Sequence, residues 1–200
     1  MNSKDLILGR IRAALGDSPA APPPVPRDYR RDEAKADQDR LVERLTDYKA
    51  VVHRIDGDAS LPRKIGEIQG AGVLVVPPGL PRAWLPPQVE ARVDDGLTAD
   101  RIASADGVVT AAAVEVAETG TIVLDGSPDQ GRRIISLLPD LHICVLRAEQ
   151  VVASVPAAVA RLAPRRPLTW ISGPSATSDI ELNRVEGVHG PRTLDVLLLG

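Results

Sequence analysis

The sequence has 200 residues, of which 44% are hydrophobic and 26% are charged, and its formal net charge is −3. A chain of this length can bury one ordinary hydrophobic core, and its slightly acidic balance excludes the basic surface that nucleic-acid-binding and lipid-binding proteins use. Phe is absent, and with two Trp and two Tyr the chain lacks the aromatic platforms that read single-stranded nucleic acid.

The N-terminal segment is predicted to be a helix that stands apart from the rest of the chain. The apolar residues that share one face of this helix are Leu6, Ile7, Ile11, Ala14 and Leu15. Five prolines follow between residues 18 and 26, and they predict an extended linker because proline excludes helices and central strands. We expect residues 1–27 to form an N-terminal helix with a proline-rich linker, and residues 28–200 to form one domain.

Strands and helices alternate along this domain. Strands are predicted at residues 50–55, 72–78, 108–117, 121–124, 142–146, 168–172 and 194–199. Helices are predicted at residues 28–48, 61–69, 98–104, 134–138 and 151–162. This alternation indicates βαβ units, so the predicted fold class is α/β, with a mainly parallel sheet and helices on both faces.

The chain has few residues that could hold a metal or a cofactor. Its single cysteine, Cys144, lies in an apolar run typical of a buried strand, and one thiol cannot form an internal disulfide or hold an iron–sulfur cluster. His53, His142 and His189 lack metal-ligand spacing. We therefore expect no metal and no cofactor in this chain. Because no apolar stretch could span a bilayer and no signal-peptide core is present, we expect a cytoplasmic location without membrane insertion.

Three polar, glycine-bearing segments are candidates for chemistry. Glu118, Thr119 and Gly120 lie between two β runs. They form either a tight hairpin in which Gly120 supplies a positive φ, or a site with a functional carboxylate. Residues 173–181 directly follow a strand and are rich in small and hydroxyl side chains. They predict either a helix N-cap or a site where backbone N–H groups approach an anion.

The third segment is residues 187–192, Gly-Val-His-Gly-Pro-Arg. His189 could donate or accept a proton near neutral pH, and Arg192 could bind a carboxylate through two parallel hydrogen bonds. The structural alternative is a turn in which Arg192 pairs with Glu186 or Asp195. Because polar loops beside parallel strands gather at one edge, we expect the three segments to meet at the carboxyl edge of the sheet.

Together these segments resemble a known family. Glu-Thr-Gly-Thr-Ile at 118–122, Gly-Pro-Ser-x-Thr-x-Asp-Ile-Glu at 173–181 and Gly-Val-His-Gly-Pro-Arg at 187–192 are similar, in order and spacing, to the motifs of the lactate-utilisation protein C family, which carries the LUD domain. The resemblance covers about residues 28–200, and the helix and linker before them are also similar to the family. Ser178 stands where the family pattern has Ala.

The resemblance implies a fold similar to that of the sugar-phosphate isomerase and CoA-transferase superfamily. It also implies a subunit of a system that oxidises L-lactate to pyruvate, with cysteine-rich iron–sulfur oxidoreductase subunits as partners that carry the clusters. Glu118 and His189 are the catalytic candidates. The candidate ligand-binding residues are Thr119, Gly120, Gly173, Ser175, Thr177, Asp179, Glu181, Gly190 and Arg192.

Two hypotheses remain open at this point. In the first, the chain is an accessory or substrate-binding component that contacts its partners and a small carboxylate, lactate or pyruvate. In the second, it is an independent enzyme that uses Glu118 as a nucleophile or base on a phosphosugar or an acyl thioester. Whether the chain is itself catalytic is left open by the sequence, and activity of the purified chain alone would favour the second hypothesis.

Overall fold

The computed structural model describes residues 2–16, 21, 23–26, 35–174, 176–177, 185–186 and 190–200. The chain divides into two compact units, over residues 1–30 and 31–200. The predicted linker falls partly outside the described residues, and so does the first part of the helix predicted at 28–48.

The first unit contains helix α1 (Ser3–Leu15). This helix begins where the Asn2 side chain accepts a hydrogen bond from the N–H of Asp5, and it ends at Gly16, whose φ is 68°. The four large apolar side chains of its predicted face are exposed: Leu6, Ile7, Ile11 and Leu15. The helix is therefore amphipathic in sequence without burying its apolar face within its own unit.

The second unit alternates helices and strands as the sequence predicts. Its described helices are α2 (Gln38–Asp47), α3 (Leu61–Gln69), α4 (Ala99–Ala103) and α5 (Val155–Arg161). Its described strands are β1 (Val51–Ile55), β2 (Val73–Val76), β3 (Glu90–Val93), β4 (Gly107–Ala111), β5 (Val114–Val116), β6 (Thr121–Leu124), β7 (Leu141–Arg147), β8 (Val151–Val152), β9 (Thr169–Ile171), β10 (Ala176–Thr177), β11 (Val185–Glu186) and β12 (Thr193–Leu199). None of the helices over the described residues is both long and apolar enough to cross a membrane.

The main sheet has six strands in the order β1-β12-β7-β4-β2-β3. All of its neighbouring strands are parallel, which confirms the predicted α/β class with a mainly parallel sheet. The central strands β4 and β7 are mainly apolar and almost wholly buried, as expected for strands covered on both faces.

A second sheet, which the sequence did not predict, has the order β8-β5-β6-β9. β5 and β6 form an antiparallel hairpin in which Val116 pairs with Thr121, β9 pairs antiparallel with β6, and β8 pairs parallel with β5. A short antiparallel pair, β10 and β11, lies between β9 and β12 in the chain. The hydrophobic run at 108–117 therefore splits into two strands that belong to different sheets.

The core lies on both faces of the main sheet. On one face, Leu61 and Ile65 of α3 pack with Trp84 against alternate residues of the parallel strands. On the other face, Leu41 and Leu45 of α2 pack with residues of β6 and β8 against β7 and β12 of the main sheet. The second sheet thus covers part of the face that the sequence assigned to helices alone.

One predicted element is wrong, and one strand of the main sheet was not predicted. Residues 151–162 were predicted to be one helix, but Val151 and Val152 form β8, and α5 begins at Val155, because the two valines pair with β5 rather than continue a helical pattern. Strand β3 was not predicted, since Glu90-Ala91-Arg92-Val93 is a partly charged edge strand without a hydrophobic run.

Candidate functional site

The strand order of the main sheet reverses between β2 and β4. The chain continues from β2 to β3 at one edge of the sheet, whereas from β4 it continues through the second sheet to β7, on the other side. Two residue pairs join β2 to β4, Leu74 with Gly107 and Val75 with Val108, so the two strands separate toward their carboxyl ends. In open α/β sheets, the crevice at such a reversal is the usual place for a ligand.

The loop after β6 enters this crevice and is fixed to both strands. The N–H of Gly79 donates to the carbonyl of Pro128 at 2.8 Å, and the N–H of Ala111 donates to the carbonyl of Asp129 at 3.0 Å. A side chain on Gly79 would clash, because its Cβ would lie 2.6 Å from the carbonyl carbon of Pro128. The close approach of the loop to the end of β2 therefore requires glycine at this position.

Side chains hold the loop in one shape. The Gln130 side chain accepts a hydrogen bond from the N–H of Asp125, and its backbone N–H donates to the carbonyl of Ser127 at 2.9 Å. Arg166 donates to the Asp125 carboxylate at 2.7 Å and to the Ser127 hydroxyl at 2.8 Å. Burial favours the neutral form of Asp125, but hydrogen bonds from Ser127 and the charge of Arg166 outweigh it and lower the pKa.

A cavity of about 320 Å³ opens between this loop and the ends of the strands. Pro78 follows β2, Asp94 follows β3, and Leu124 and Thr169 belong to the second sheet. Loop residues 126–128 and 130–133, together with Pro167 before β9, complete the lining. The volume lies at the lower end of the range typical of small-molecule sites.

Positively charged side chains outnumber negatively charged ones among the residues that line this cavity. Arg132 donates through Nε to Asp94 at 2.8 Å and through Nη2 to the other Asp94 oxygen, and these hydrogen bonds hold the pKa of the buried Asp94 carboxyl below its ordinary value. Arg133 also lines the cavity and is exposed. Within the part of the chain that the structure describes, the Arg133 guanidinium has no acidic partner.

A row of buried polar side chains lies deeper between the two sheets. Thr110 is 2.8 Å from His142 Nε2, and burial lowers the pKa of His142 to about 4. Burial raises the pKa of Cys144 to about 12 and, with a smaller contribution from Glu149, the pKa of Glu115 to about 8. These groups are neutral at pH 7, so Cys144 has the properties of a structural strand residue rather than a nucleophile.

Two of the predicted site segments meet beside the C-terminal end of α2. Gly120 has a φ of 62°, as the predicted hairpin requires, and a Cβ there would lie 2.9 Å from the Arg44 carbonyl carbon. Thr119 is hydrogen-bonded to Thr121, and Thr121 to Ser172. Next to Ser172, Gly173 (φ 87°) packs on the Tyr48 backbone. Glu118 and Thr119 are half-buried in this turn.

The third segment lies elsewhere than predicted. Arg192 directly precedes β12, so it lies at the amino edge of the parallel sheet, not at the carboxyl edge. Its Nε is 3.6 Å from Asp140, and both side chains are exposed. Of the two alternative partners of Arg192, Asp195 pairs with His53 instead, at 2.8 Å, and the side chain of Glu186 lies outside the described part of the chain.

Of the remaining candidate residues, two are described by the structure and four are not. Thr177 pairs with Val185 in the β10–β11 pair, and Gly190 has a φ of 154°. The candidates that lie outside the described residues are Ser175, Asp179, Glu181 and His189. Among the residues that the structure does describe, no group of three His, Cys, Asp or Glu side chains could hold a metal ion.

Sequence reasoning did not identify the cavity at the carboxyl edge. Its residues come from the ends of β2 and β3 and from Asp-Gly-Ser-Pro-Asp-Gln-Gly-Arg-Arg at 125–133. The available signal was a polar run with two glycines and two arginines directly after an apolar strand. The apolar residues 134–138 that follow this run predict a short helix, and none of the candidate site residues falls within the run.

Comparison with known proteins gives consistent matches. The profile of the LUD domain family matches residues 82–199. The chain is 44% identical to "Lactate utilization protein C" of Deinococcus radiodurans over 195 residues, which is 94% of this chain and 91% of that protein. It is 35% identical over 91 residues to "Lactate utilization protein C" of Bacillus licheniformis, over 42% of this chain and 38% of that protein. The crystal structure of a DUF162 family protein from Deinococcus radiodurans superposes with a TM-score of 0.72 at 40% identity, covering 82% of this chain and 96% of that one.

Proposed function

Because the chain belongs to the LUD domain family, we propose that it acts in lactate utilisation, as a subunit of a system that oxidises L-lactate to pyruvate together with iron–sulfur proteins. The observation that carries this proposal is the 44% identity, over 94% of the chain, to a protein named for lactate utilisation. The family match at 82–199 includes all three predicted motifs and every lining residue of the carboxyl-edge cavity except Pro78.

The single cysteine of this chain supports the proposal that partner proteins, and not this chain, hold the iron–sulfur clusters. Oxidation of L-lactate to pyruvate removes two electrons and two protons from the substrate, so the system needs an electron acceptor. Iron–sulfur clusters are held by cysteine thiolates, whereas this chain has one cysteine, Cys144, which is buried and has a pKa raised to about 12. We therefore assign the clusters to cysteine-rich partner subunits, and an accessory or substrate-binding role to this chain.

The predicted ligand-binding group forms part of this proposal. Glu118, Thr119 and Gly120 adjoin Ser172 and Gly173 through the hydroxyl chain of Thr119, Thr121 and Ser172. Polar hydroxyls and glycine backbone in such a turn can hydrogen-bond a small polar ligand or the backbone of a partner. Replacing Glu118 with Gln tests its proposed proton-transfer role, because the amide keeps the shape of the side chain and loses its basicity.

The proposal is tested by complementation. A Deinococcus radiodurans strain without its own relative receives this chain, and growth is compared on L-lactate and on glucose as sole carbon source. We expect the chain to restore growth on L-lactate while growth on glucose is unchanged throughout. Loss of growth on L-lactate that this chain does not restore, despite equal expression, would refute the proposal.

A second measurement tests the partner assignment. A tagged version of the chain is isolated from the complemented strain under anaerobic conditions and compared with the same chain purified alone. We expect iron and cluster absorbance in the first preparation and none in the second. Stoichiometric iron in the chain purified alone would overturn the division of labour. Turnover of a phosphosugar or an acyl thioester by the chain alone, abolished by Glu118→Gln, would favour the independent enzyme instead.

A further inference from the structure

The cavity at the carboxyl edge has an excess of positive charge. Of the charged residues that line it, Arg132 is neutralised by the two hydrogen bonds to Asp94. The neighbouring Arg166 is neutralised in the same way by Asp125. Arg133 lines the same cavity, and no carboxylate of the described residues pairs with it. The lining residues Asp94, Arg132 and Arg133 therefore leave one uncompensated positive charge.

One uncompensated arginine is balanced by a ligand that carries a single negative charge. A guanidinium donates two parallel hydrogen bonds to a carboxylate, which has matching planar geometry. A dianion such as a phosphate ester would place its second charge near Asp94 and Asp125, without a further free cation among the described lining residues to balance it. The charge pattern thus favours a monocarboxylate over a phosphorylated ligand.

The size and surface of the cavity restrict the rest of the ligand. Its volume of about 320 Å³ lies at the lower end of the range of small-molecule sites and sets an upper limit on the size of the ligand. Pro78, Leu124 and Pro167 supply apolar surface, whereas Ser127 and Thr169 supply hydroxyl groups. A short carbon chain that carries one carboxylate and one further oxygen matches this lining.

Hydrogen bonds within the chain hold the walls of the cavity. The loop is held by the hydrogen bonds from Gly79 to Pro128 and from Ala111 to Asp129, and by the Arg166 contacts. A preformed site loses little conformational entropy on binding, which matters most for a ligand with few contacts.

We propose that this cavity is a binding site for a small monocarboxylate whose carboxylate group is held by Arg133. The site lies outside all three sequence motifs. The proposal does not depend on the role in lactate utilisation, because it follows from the geometry and charge of the cavity alone.

The test is an NMR titration of the full ¹⁵N-labelled chain with sodium pyruvate, sodium L-lactate and inorganic phosphate at constant ionic strength. We expect saturable shifts for both carboxylates at the amides of Gly126, Gly131 and Thr169, and weaker binding of phosphate. Shifts that saturate only elsewhere in the chain, no saturable shifts at all, or tighter binding of phosphate would each overturn the proposal.

Two variants and one matched control identify the anchor. Arg133→Gln removes the charge at an exposed position and should weaken carboxylate binding about tenfold to a hundredfold, since a charge-assisted, bidentate contact is lost. Thr169→Trp keeps the charge and fills the cavity, and it should also weaken binding. Arg101→Gln removes an exposed arginine of α4 that does not line the cavity, and it should bind as the unchanged chain does. Equal loss in the Arg133 and Arg101 variants would show general charge attraction and refute the site.

The two proposals can fail separately. Pyruvate binding at the cavity together with failed complementation would leave the site intact and refute the role in lactate utilisation. Successful complementation by the Arg133→Gln variant, with no carboxylate binding in the unchanged chain, would refute the site alone.

Discussion

The buried carboxyl group of Glu115 makes the stability of the fold depend on pH. Its neighbours Val114 and Val116 face α5, so by strand alternation Glu115 points to the opposite face of the second sheet, toward the main sheet. It has no exposed surface, and neither carboxyl oxygen has a hydrogen-bond partner. Burial, assisted by Glu149 and opposed by Arg161, raises its pKa from 4.5 to about 8.

The direction of the effect follows from proton binding. Between pH 4.5 and 8 the folded chain keeps the proton on Glu115 and the unfolded chain releases it, so the free energy of unfolding falls as the pH rises. With these two pKa values, the loss between pH 5 and pH 8 amounts to about 3 kcal/mol, at about 1.4 kcal/mol for each tenfold change in proton affinity. This is a large part of the total stability of an ordinary domain.

Glu115→Gln removes the charge and keeps the shape of the side chain. We expect the variant to match the unchanged chain at pH 5 within about 1 kcal/mol, and to exceed its free energy of unfolding by about 3 kcal/mol at pH 8. Urea denaturation followed by circular dichroism from pH 5 to 8 measures both. The control is Glu43→Gln, the same change at an exposed position of α2, which should leave the pH dependence unaltered. Parallel pH profiles for the Glu115 variant and the unchanged chain would refute the reasoning.

Three further outcomes are expected. Asp94→Asn weakens the contact with Arg132 and should lower the free energy of unfolding at pH 7 by about 1–3 kcal/mol. The folded-state pKa of Asp94 is lowered. The difference in free energy of unfolding between the variant and the unchanged chain should therefore vanish as the pH falls through this pKa. A difference that stays constant with pH would contradict the assigned role of the ion pair. Gly131 has a φ of 72°, and a Cβ there would lie 2.9 Å from Pro77. Gly131→Ala should therefore lower the melting temperature. An unchanged melting temperature would show that the loop relaxes around the added methyl group. Limited proteolysis followed by mass spectrometry should cut first within 17–27, and a first cut within 70–125 would argue against the predicted linker.

Local patterns were sufficient to predict most elements of the main sheet. α3 was predicted with the observed bounds, because its apolar spacing, an early proline and the following Gly70 all mark the same helix. The run at 142–146 gave β7 within one residue at each end. The second sheet was missed because its pairings join segments such as β5 and β8 that lie far apart in the chain, and a local window does not register them.

The candidate site shows a different kind of error. We assigned the loop before β12 to the carboxyl edge, although a residue that precedes a parallel strand, as Arg192 does, must lie at the amino edge of the sheet. The charge balance around Arg133 could not be read from the sequence, since Arg132 and Arg166 are neutralised by Asp94 and Asp125 through contacts between distant segments. The polar loop itself was visible, but its position in the crevice depends on the second sheet.

The position of β12 has a consequence for synthesis of the protein on the ribosome. Among the described strands, β1 pairs with β12 alone, Val51 lying opposite Asp195. β12 also pairs along its whole length with β7. During translation, β1 and β7 therefore cannot pair with β12 until residues 193–199 have left the exit tunnel. The apolar surface that β12 covers stays exposed to solvent until then. A ribosome stalled before residue 193 should hold a nascent chain that protease digests readily and that chaperones bind.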